Sequence, residues 1–271
     1  MKFGIVCKPD EKSYEIGKKI YEMLGEAYLE KKIAEYLGKE GLSIQEVGLK
    51  SDIIVVIGGD GTILLTLKHT SKPIFSINTG RIGFLAEIDA EDAIEGMKKV
   101  LEGDYFIEDR IRLKSFLNGK RLEDASNEIA LHVSNIGKLL MTRLYIDDEL
   151  AEDIYGDGMI IATPMGSTSY ALSVGGPIVD PTLKIFIVAP LAPFRHIASP
   201  LVMPADKKIG IEVDKPSKIA IDGMGEYDFK PGDKIEIMKS EKMTRFIKLK
   251  NTFYHRLYKK LSFRMPEYER E

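Results

Sequence analysis

Asp60 stands alone among glycines and a hydroxyl in Gly58-Gly59-Asp60-Gly61-Thr62. Glycines let a backbone approach a bound group closely, and the free N–H groups at a helix start favour an anion. Such a turn suits phosphate, and a carboxylate inside it repels that phosphate unless it binds a metal or takes a proton. The same residues also fit a tight turn in which Asp60 caps the following helix. The Gly-Lys-Ser/Thr ending of a Walker A loop is missing.

Three further places carry chemistry. Asn127-Glu128 offers donors and acceptors at fixed separation, enough to grip an adenine edge or ribose hydroxyls; the pair also fits a strand edge or a turn. The run from Tyr155 to Tyr170, YGDGMIIATPMGSTSY, has the form of loop, strand, glycine turn and helix start. Its small hydroxyls suit phosphate or ribose oxygens and Tyr170 can stack on a base, although serine and threonine there are also ordinary helix caps. Asp222-Gly223 follows a short apolar run and by itself reads as a β-turn.

The elements that must hold these residues follow from periodicity. Ile53 to Ile57 is an apolar run typical of a strand buried on both faces, and Ile63, Leu64, Leu65 and Leu67 continue from the glycine turn as a helix. Before it, Lys2 to Lys8 reads as a strand, Ser13 to Leu37 as a helix breakable at Gly25, and Ser43 to Val47 as a weak strand. After it come a strand from Pro73 to Asn78, the loop Thr79 to Leu85, and a helix from Ala90 to Leu101 with Asp89 as N-cap. Strand alternating with helix implies a parallel sheet.

Beyond Asp104 the texture changes to short β-rich segments: 112–117, 130–133, 143–146, 159–163, 184–188, 209–213, 218–221, 234–238 and 245–249. Asn118-Gly119 is a hairpin signal. Many short strands with few helices predict a sandwich or folded-over sheet, and Thr252 to Leu261 a closing helix. The expected fold class is therefore α/β plus β: a Rossmann-like domain at 1–104 and a β-rich domain at 105–251, followed by the closing helix.

Composition excludes several classes. A net charge of −3 argues against a nucleic-acid protein working by bulk electrostatics. The single cysteine, Cys7, rules out an internal disulfide framework and a cysteine metal cluster, and its place in an apolar run suits a buried inert thiol. Without a long apolar span or a signal-like start, the expectation is a soluble protein of the cytoplasm with no membrane partner.

Taken together, GGDGT (58–62), NTGRIGFL (78–85), SNE (126–128), GDGMIIATPMGSTSY (156–170) and IDG (221–223) make the chain resemble the NAD kinases, over nearly its whole length. GGDG alone is shared with diacylglycerol-type lipid kinases and phosphofructokinases. The resemblance implies phosphorylation of the adenosine 2′-hydroxyl of NAD to give NADP, from ATP or polyphosphate, with Mg²⁺ or another divalent metal. It implies that a C-terminal helix, within 252–271, returns to complete the first domain, and homodimers or homotetramers whose NAD site borrows residues from a neighbour. Asp60 would be the catalytic carboxylate or a Mg²⁺ ligand, and Gly58, Gly59, Gly61 and Thr62 the phosphate loop. NAD would meet Asn127, Glu128, Tyr155 and Asp157, with Thr168, Ser169, Tyr170, Ala171, Leu172 and Ser173 lining its site.

The pattern is departed from at four positions. Met165 stands where the family often has a small hydroxyl residue, Ser169 where alanine is frequent, and Met224 where glutamine commonly follows Asp-Gly. Leu65 replaces a frequent arginine; Lys68, one turn on, is a candidate for the donor phosphates or else a solvated lysine. The rival readings are a lipid kinase of the same superfamily, hinted at by Arg256, Lys259, Lys260 and Arg264, and a non-catalytic NAD-binding sensor. Retention of Asp60 speaks against the sensor.

Overall fold

The structure is a computed structural model, and it describes residues 1–80, 83–135, 137–194 and 198–262. The chain divides into two compact units: residues up to Asp109 together with those from Thr244 on, and Arg110–Met243.

The first unit opens with β1 (Phe3–Cys7), α1 (Glu11–Leu24), β2 (Tyr28–Leu29), α2 (Lys31–Tyr36) and α3 (Ile44–Lys50). It continues with β3 (Ile53–Ile57), α4 (Asp60–His69), β4 (Ile74–Asn78), β5 (Ile88–Asp89) and α5 (Ala93–Glu102). The strands pair in parallel in the order β2-β1-β3-β4, with β5 beside β4. All five residues of β3 are buried, as an unbroken apolar run in a sheet covered on both faces requires. Ile5, Val55, Ile57, Phe75 and Ile77 meet Ile20 of α1, Ile33 of α2, and Met97 and Val100 of α5 in one core. Cys7 lies in it, and burial pushes its thiol well above the usual range, in keeping with an inert role.

Three expectations are corrected here. The run from Ser13 to Leu37 is two helices around β2, because Gly25 takes φ 71° and closes α1. Ser43 to Val47 opens a helix. Ser43 Oγ accepts from the Glu46 N–H at 3.2 Å while the Glu46 carboxylate accepts from the Ser43 N–H at 2.8 Å, a capping box that outweighs the weak strand pattern. Asp89 makes no side-chain cap; a 3₁₀ turn (Ala90–Asp92) precedes α5, and Asp89 instead accepts from the Asn78 side-chain amide at 3.0 Å.

The chain passes between the units within β6 (Phe106–Leu117) and again within β17 (Ile235–Lys248). The second unit holds β7 (Lys120–Arg121), β8 (Glu128–Val133), β9 (Leu140–Ile146), β10 (Glu149–Gly156) and β11 (Gly158–Ala162). After α6 (Tyr170–Ser173) come β12 (Ile185–Leu191), β13 (Leu201–Pro204), β14 (Ile209–Val213), β15 (Ser217–Ile221) and β16 (Gly225–Phe229). One antiparallel sheet runs β13-β12-β11-β8-β15-β16; β10, β9, β14 and β17 pair in that order in the other. Alternate residues of both sheets, among them Ile129, Leu131, Ile161, Phe186, Ile209, Ile211, Ile219 and Ile237, fill one core, so the predicted sandwich stands. Asn118 (φ 49°) and Gly119 (φ 78°) make the expected hairpin turn. The segments at 234–238 and 245–249 are the ends of one strand, β17. β10 escapes the sequence pattern because ELAEDIYG is polar; pairing with β9 makes it a strand.

From Thr244 the chain belongs to the first unit and ends its described part in α7 (Phe253–Ser262). Buried Glu87 holds this return: its carboxylate accepts from the Leu249 N–H at 2.8 Å and pairs with Lys248, and its carbonyl accepts from Arg256. Arg264 lies outside the described residues. None of the described helices is long and apolar enough to cross a membrane.

Candidate active site

In the first unit the chain leaves β3 at Gly58 and enters α4 through Gly59. The strand order changes direction between β1 and β3, so this turn sits where parallel sheets bind ligands, at the carboxyl ends of strands beside a topological switch. A Cβ at Gly58 would lie 2.5 Å from Thr62 Oγ1 and 3.0 Å from Lys8 Cβ, whereas positions 59 and 61 face open space. Asp60 does not cap α4. Its carboxylate accepts from the Phe84 N–H at 3.0 Å and the Leu85 N–H at 3.2 Å, and it is half-buried. Any side chain at Gly83 would overlap that carboxylate. The glycine turn and the 78–85 loop are thus one construction with Asp60 as its hub. Arg81 and Ile82 of that loop lie outside the described residues.

In the second unit Asn127 and Glu128 lead into β8, almost fully buried at 6% and 8% exposure. Asn127 Oδ1 and Glu128 Oε2 have no hydrogen-bond partner among the described residues. A buried polar atom left unpaired costs about 1–3 kcal/mol, so two in adjacent residues mark a place shaped for something else. Burial, and then the charge of Asp222, push the Glu128 carboxyl up to about 7, while the Ser169 hydroxyl and the Tyr170 N–H pull it back. Burial likewise raises the Asp222 carboxyl against the pull of three backbone N–H groups and Arg112. Beside them Tyr170 stacks on His132, ring centroids 5.7 Å apart, with its hydroxyl 3.1 Å from His132 Nε2. The charge of Asp157 reaches the Tyr170 hydroxyl and, with burial, raises its pKa.

The units therefore carry two kinds of equipment. One has a carboxylate at an open glycine turn; the other has paired acceptors beside an aromatic ring. The sequence matches the model of the ATP-NAD kinase N-terminal domain over residues 3–105 and that of the C-terminal domain over residues 126–249.

The chain belongs to the ATP-NAD kinase family.

An NAD kinase from Thermoplasma volcanium is 35% identical, with 96% of this chain and 98% of that one covered. The crystal structure of an NAD kinase from Archaeoglobus fulgidus in complex with ATP superimposes with a TM-score of 0.78 at 32% identity, covering 97% and 99% of the two chains. The fold also matches yeast NADH kinase complexed with NADH, TM-score 0.92 at 24% identity, covering 100% of this chain and 90% of that one.

Within this NAD kinase the residues singled out from sequence fall into distinct settings. Thr168 and Ser169 lie in and after a 3₁₀ turn (Met165–Thr168), and the expected helix beyond is the single turn α6. Ala171 points into a small core with Ala130, Ile160, Ala162 and Ile187; Leu172 is half-buried and Ser173 bonds the Tyr170 carbonyl at 2.7 Å. Tyr155 lines a cavity of about 430 Å³ with Leu139, Ile154, Pro193, Phe194 and Ala198, none of them from the Asn127–Glu128 cluster. Ser169, a departure from the family's usual alanine, supplies a hydroxyl to Glu128. Lys68 is exposed in the last turn of α4, roughly 12 Å along the axis from Asp60 at 1.5 Å per residue.

Sequence reasoning missed His132 and Arg112, and gave Thr163 no role of its own within the 155–170 run. His132 had no signal, since a lone histidine in a strand is silent about its neighbours.

The raised Glu128 carboxyl makes a prediction. A carboxyl elevated in the fold favours the protonated form, so its contribution to folding is fully present below its ordinary range and is lost as pH rises through about 7. Gripping hydroxyls as an acceptor requires the ionised form, so KM for NAD falls as pH is raised through the same region. Replacing Glu128 by Gln removes that dependence. A KM profile equally steep in the variant would show another group titrating.

Proposed function

We propose that this NAD kinase transfers the terminal phosphoryl group of ATP or polyphosphate to the adenosine 2′-hydroxyl of NAD, giving NADP. The observation that carries this reading is the pair of buried, unpaired acceptors, Asn127 Oδ1 and Glu128 Oε2, beside the exposed ring of Tyr170. An adenine edge and ribose hydroxyls supply the donors they lack, and the ring offers a stacking face. Asp157, Thr168 and Ser169 belong to the same grip; Ala171 supports α6 from beneath.

Phosphoryl transfer asks for positioning and charge neutralisation. Asp60 takes the proton of the 2′-hydroxyl as that oxygen bonds to the terminal phosphorus and the bond to the departing phosphate oxygen breaks. Two backbone N–H groups fix the carboxylate and leave each oxygen further lone pairs. Gly58, Gly59, Gly61 and Thr62 shape the open turn for the donor phosphates. No cluster of three or more His, Cys, Asp or Glu side chains converges among the described residues. One carboxylate beside a phosphate turn nevertheless fits Mg²⁺, which keeps waters and is commonly held by one or two carboxylates plus substrate phosphates. Asp60 would hold it, and its charge would offset that gathering on the transferring phosphoryl group.

The reading includes action in the cytoplasm and a homodimer or homotetramer. Exposed apolar side chains at Leu139, Tyr155 and Phe194 around the large cavity support the assembly. Purified protein given NAD, Mg²⁺ and either donor, coupled to an NADP-specific dehydrogenase, tests the reaction; no NADP with either donor sinks it.

For the donor side, Lys68→Ala is expected to raise the donor KM several-fold with NAD KM unchanged, an effect that shrinks as salt rises. Its position requires the donor to extend along α4. A donor KM equal to wild type returns Lys68 to the role of a surface charge favourable at a helix C-terminus.

A further inference from the structure

We propose that Asp222 and Thr163 are positioning residues, a two-sided clamp that fixes the Ser126–Glu128 backbone so that the Asn127 and Glu128 side chains meet NAD. The proposal rests on the reading of Asn127-Glu128 as the dinucleotide grip.

Asp222 sits at φ 47° in the β15–β16 turn, closed by the Met224 N–H donating to the Ile221 carbonyl at 2.9 Å. From there its carboxylate accepts three successive backbone N–H groups: Ser126 at 2.7 Å, Asn127 at 2.8 Å and Glu128 at 3.0 Å. Its own N–H donates to the Glu128 carbonyl at 3.0 Å. Thr163 holds the opposite side. Its hydroxyl donates to the Ser126 carbonyl at 2.7 Å, and its N–H to the Asn127 carbonyl at 2.8 Å. Gly166 closes the clamp, since a Cβ there would overlap the Asn127 carbonyl. Thr163 is buried and Asp222 half-buried, and among the described residues neither is bonded to the gripping side-chain atoms that stay unpaired. Three motifs far apart in sequence (126–128, 162–166 and 221–223) thus form one device. Loose placement by an ångström is costly where binding depends on fixed donors and acceptors.

Charges reaching Glu128 are that of Asp222, from the β15–β16 turn, opposed by hydrogen bonds from Ser169 and Tyr170; buried Arg112 of β6 faces Asp222 in turn. Removing the Asp222 charge therefore also moves the ionisation of Glu128 downward, which a purely structural role would not.

The test is Asp222→Asn, because asparagine tolerates the left-handed turn and keeps one acceptor. NAD KM is expected to rise about tenfold, with donor KM little changed, and the pH at which NAD KM falls to move down. Thr163→Val is expected to raise NAD KM in the same way, and Thr163→Ser to restore it. If Asp222→Asn does not fold, the threonine pair decides. Unchanged NAD KM in Asp222→Asn and Thr163→Val, while Glu128→Ala is impaired, overturns the clamp. If Glu128→Ala is unimpaired, the grip itself falls, and the clamp with it.

Discussion

Replacing Asp60 by Asn is expected to lower kcat by two to four orders of magnitude, the usual range for loss of a general base, and to leave NAD binding within a few-fold of wild type. The structure separates these effects. Asp60 belongs to the first unit and among the described residues is bonded to the Phe84 and Leu85 N–H groups, whereas the unpaired acceptors belong to the second. Asparagine keeps the size of the side chain, so the 78–85 loop retains its hub, with one amide N–H now facing a backbone donor. Titration calorimetry with NAD and initial rates with saturating donor measure the two quantities. A kcat equal to wild type would remove Asp60 from the chemistry and return it to the role of a loop anchor.

The second large effect lies at the grip. Glu128→Ala is expected to raise KM for NAD about ten- to a hundred-fold, since hydrogen bonds to a charged group are worth about 1.5–3 kcal/mol, and Asn127→Ala to raise it by less, its amide being neutral. Because the same contacts place the 2′-hydroxyl, kcat falls as well. Thermal stability supplies a check of opposite sign. Glu128 without ligand is a buried carboxyl with one oxygen unpaired, so Glu128→Ala should leave the Tm of the free protein unchanged or higher, while removing the rise in Tm that NAD confers. Normal KM and kcat in both variants, or a marked loss of Tm without NAD, would make the pair a structural element of the strand.

Lys68 shows what a helical spacing leaves open. Three residues from Leu65, it shares a side of α4, but the helix ends at His69, and distance along the axis counts as much as face. The Ser43 segment teaches the reverse: a capping box visible in the letters Ser-x-x-Glu decided for helix where the apolar pattern was too short to decide.

Local signals in the chain were enough for the buried strand Ile53–Ile57, the glycine turn after it, the change of period beyond Asp104, the Asn118-Gly119 hairpin and the family, because each rests on local periodicity, a turn residue or a contiguous motif. What those motifs do to one another depends on contacts between distant parts of the chain. Phe84 and Leu85 orient Asp60 across 24 and 25 residues of chain, and Asp222 holds Ser126, Asn127 and Glu128 from 94 to 96 residues away. A carboxylate in the sequence says nothing of which backbone donors will face it. Strand pairing sets that, and so does burial, which turns Glu128 from an ordinary acid into a group titrating near 7.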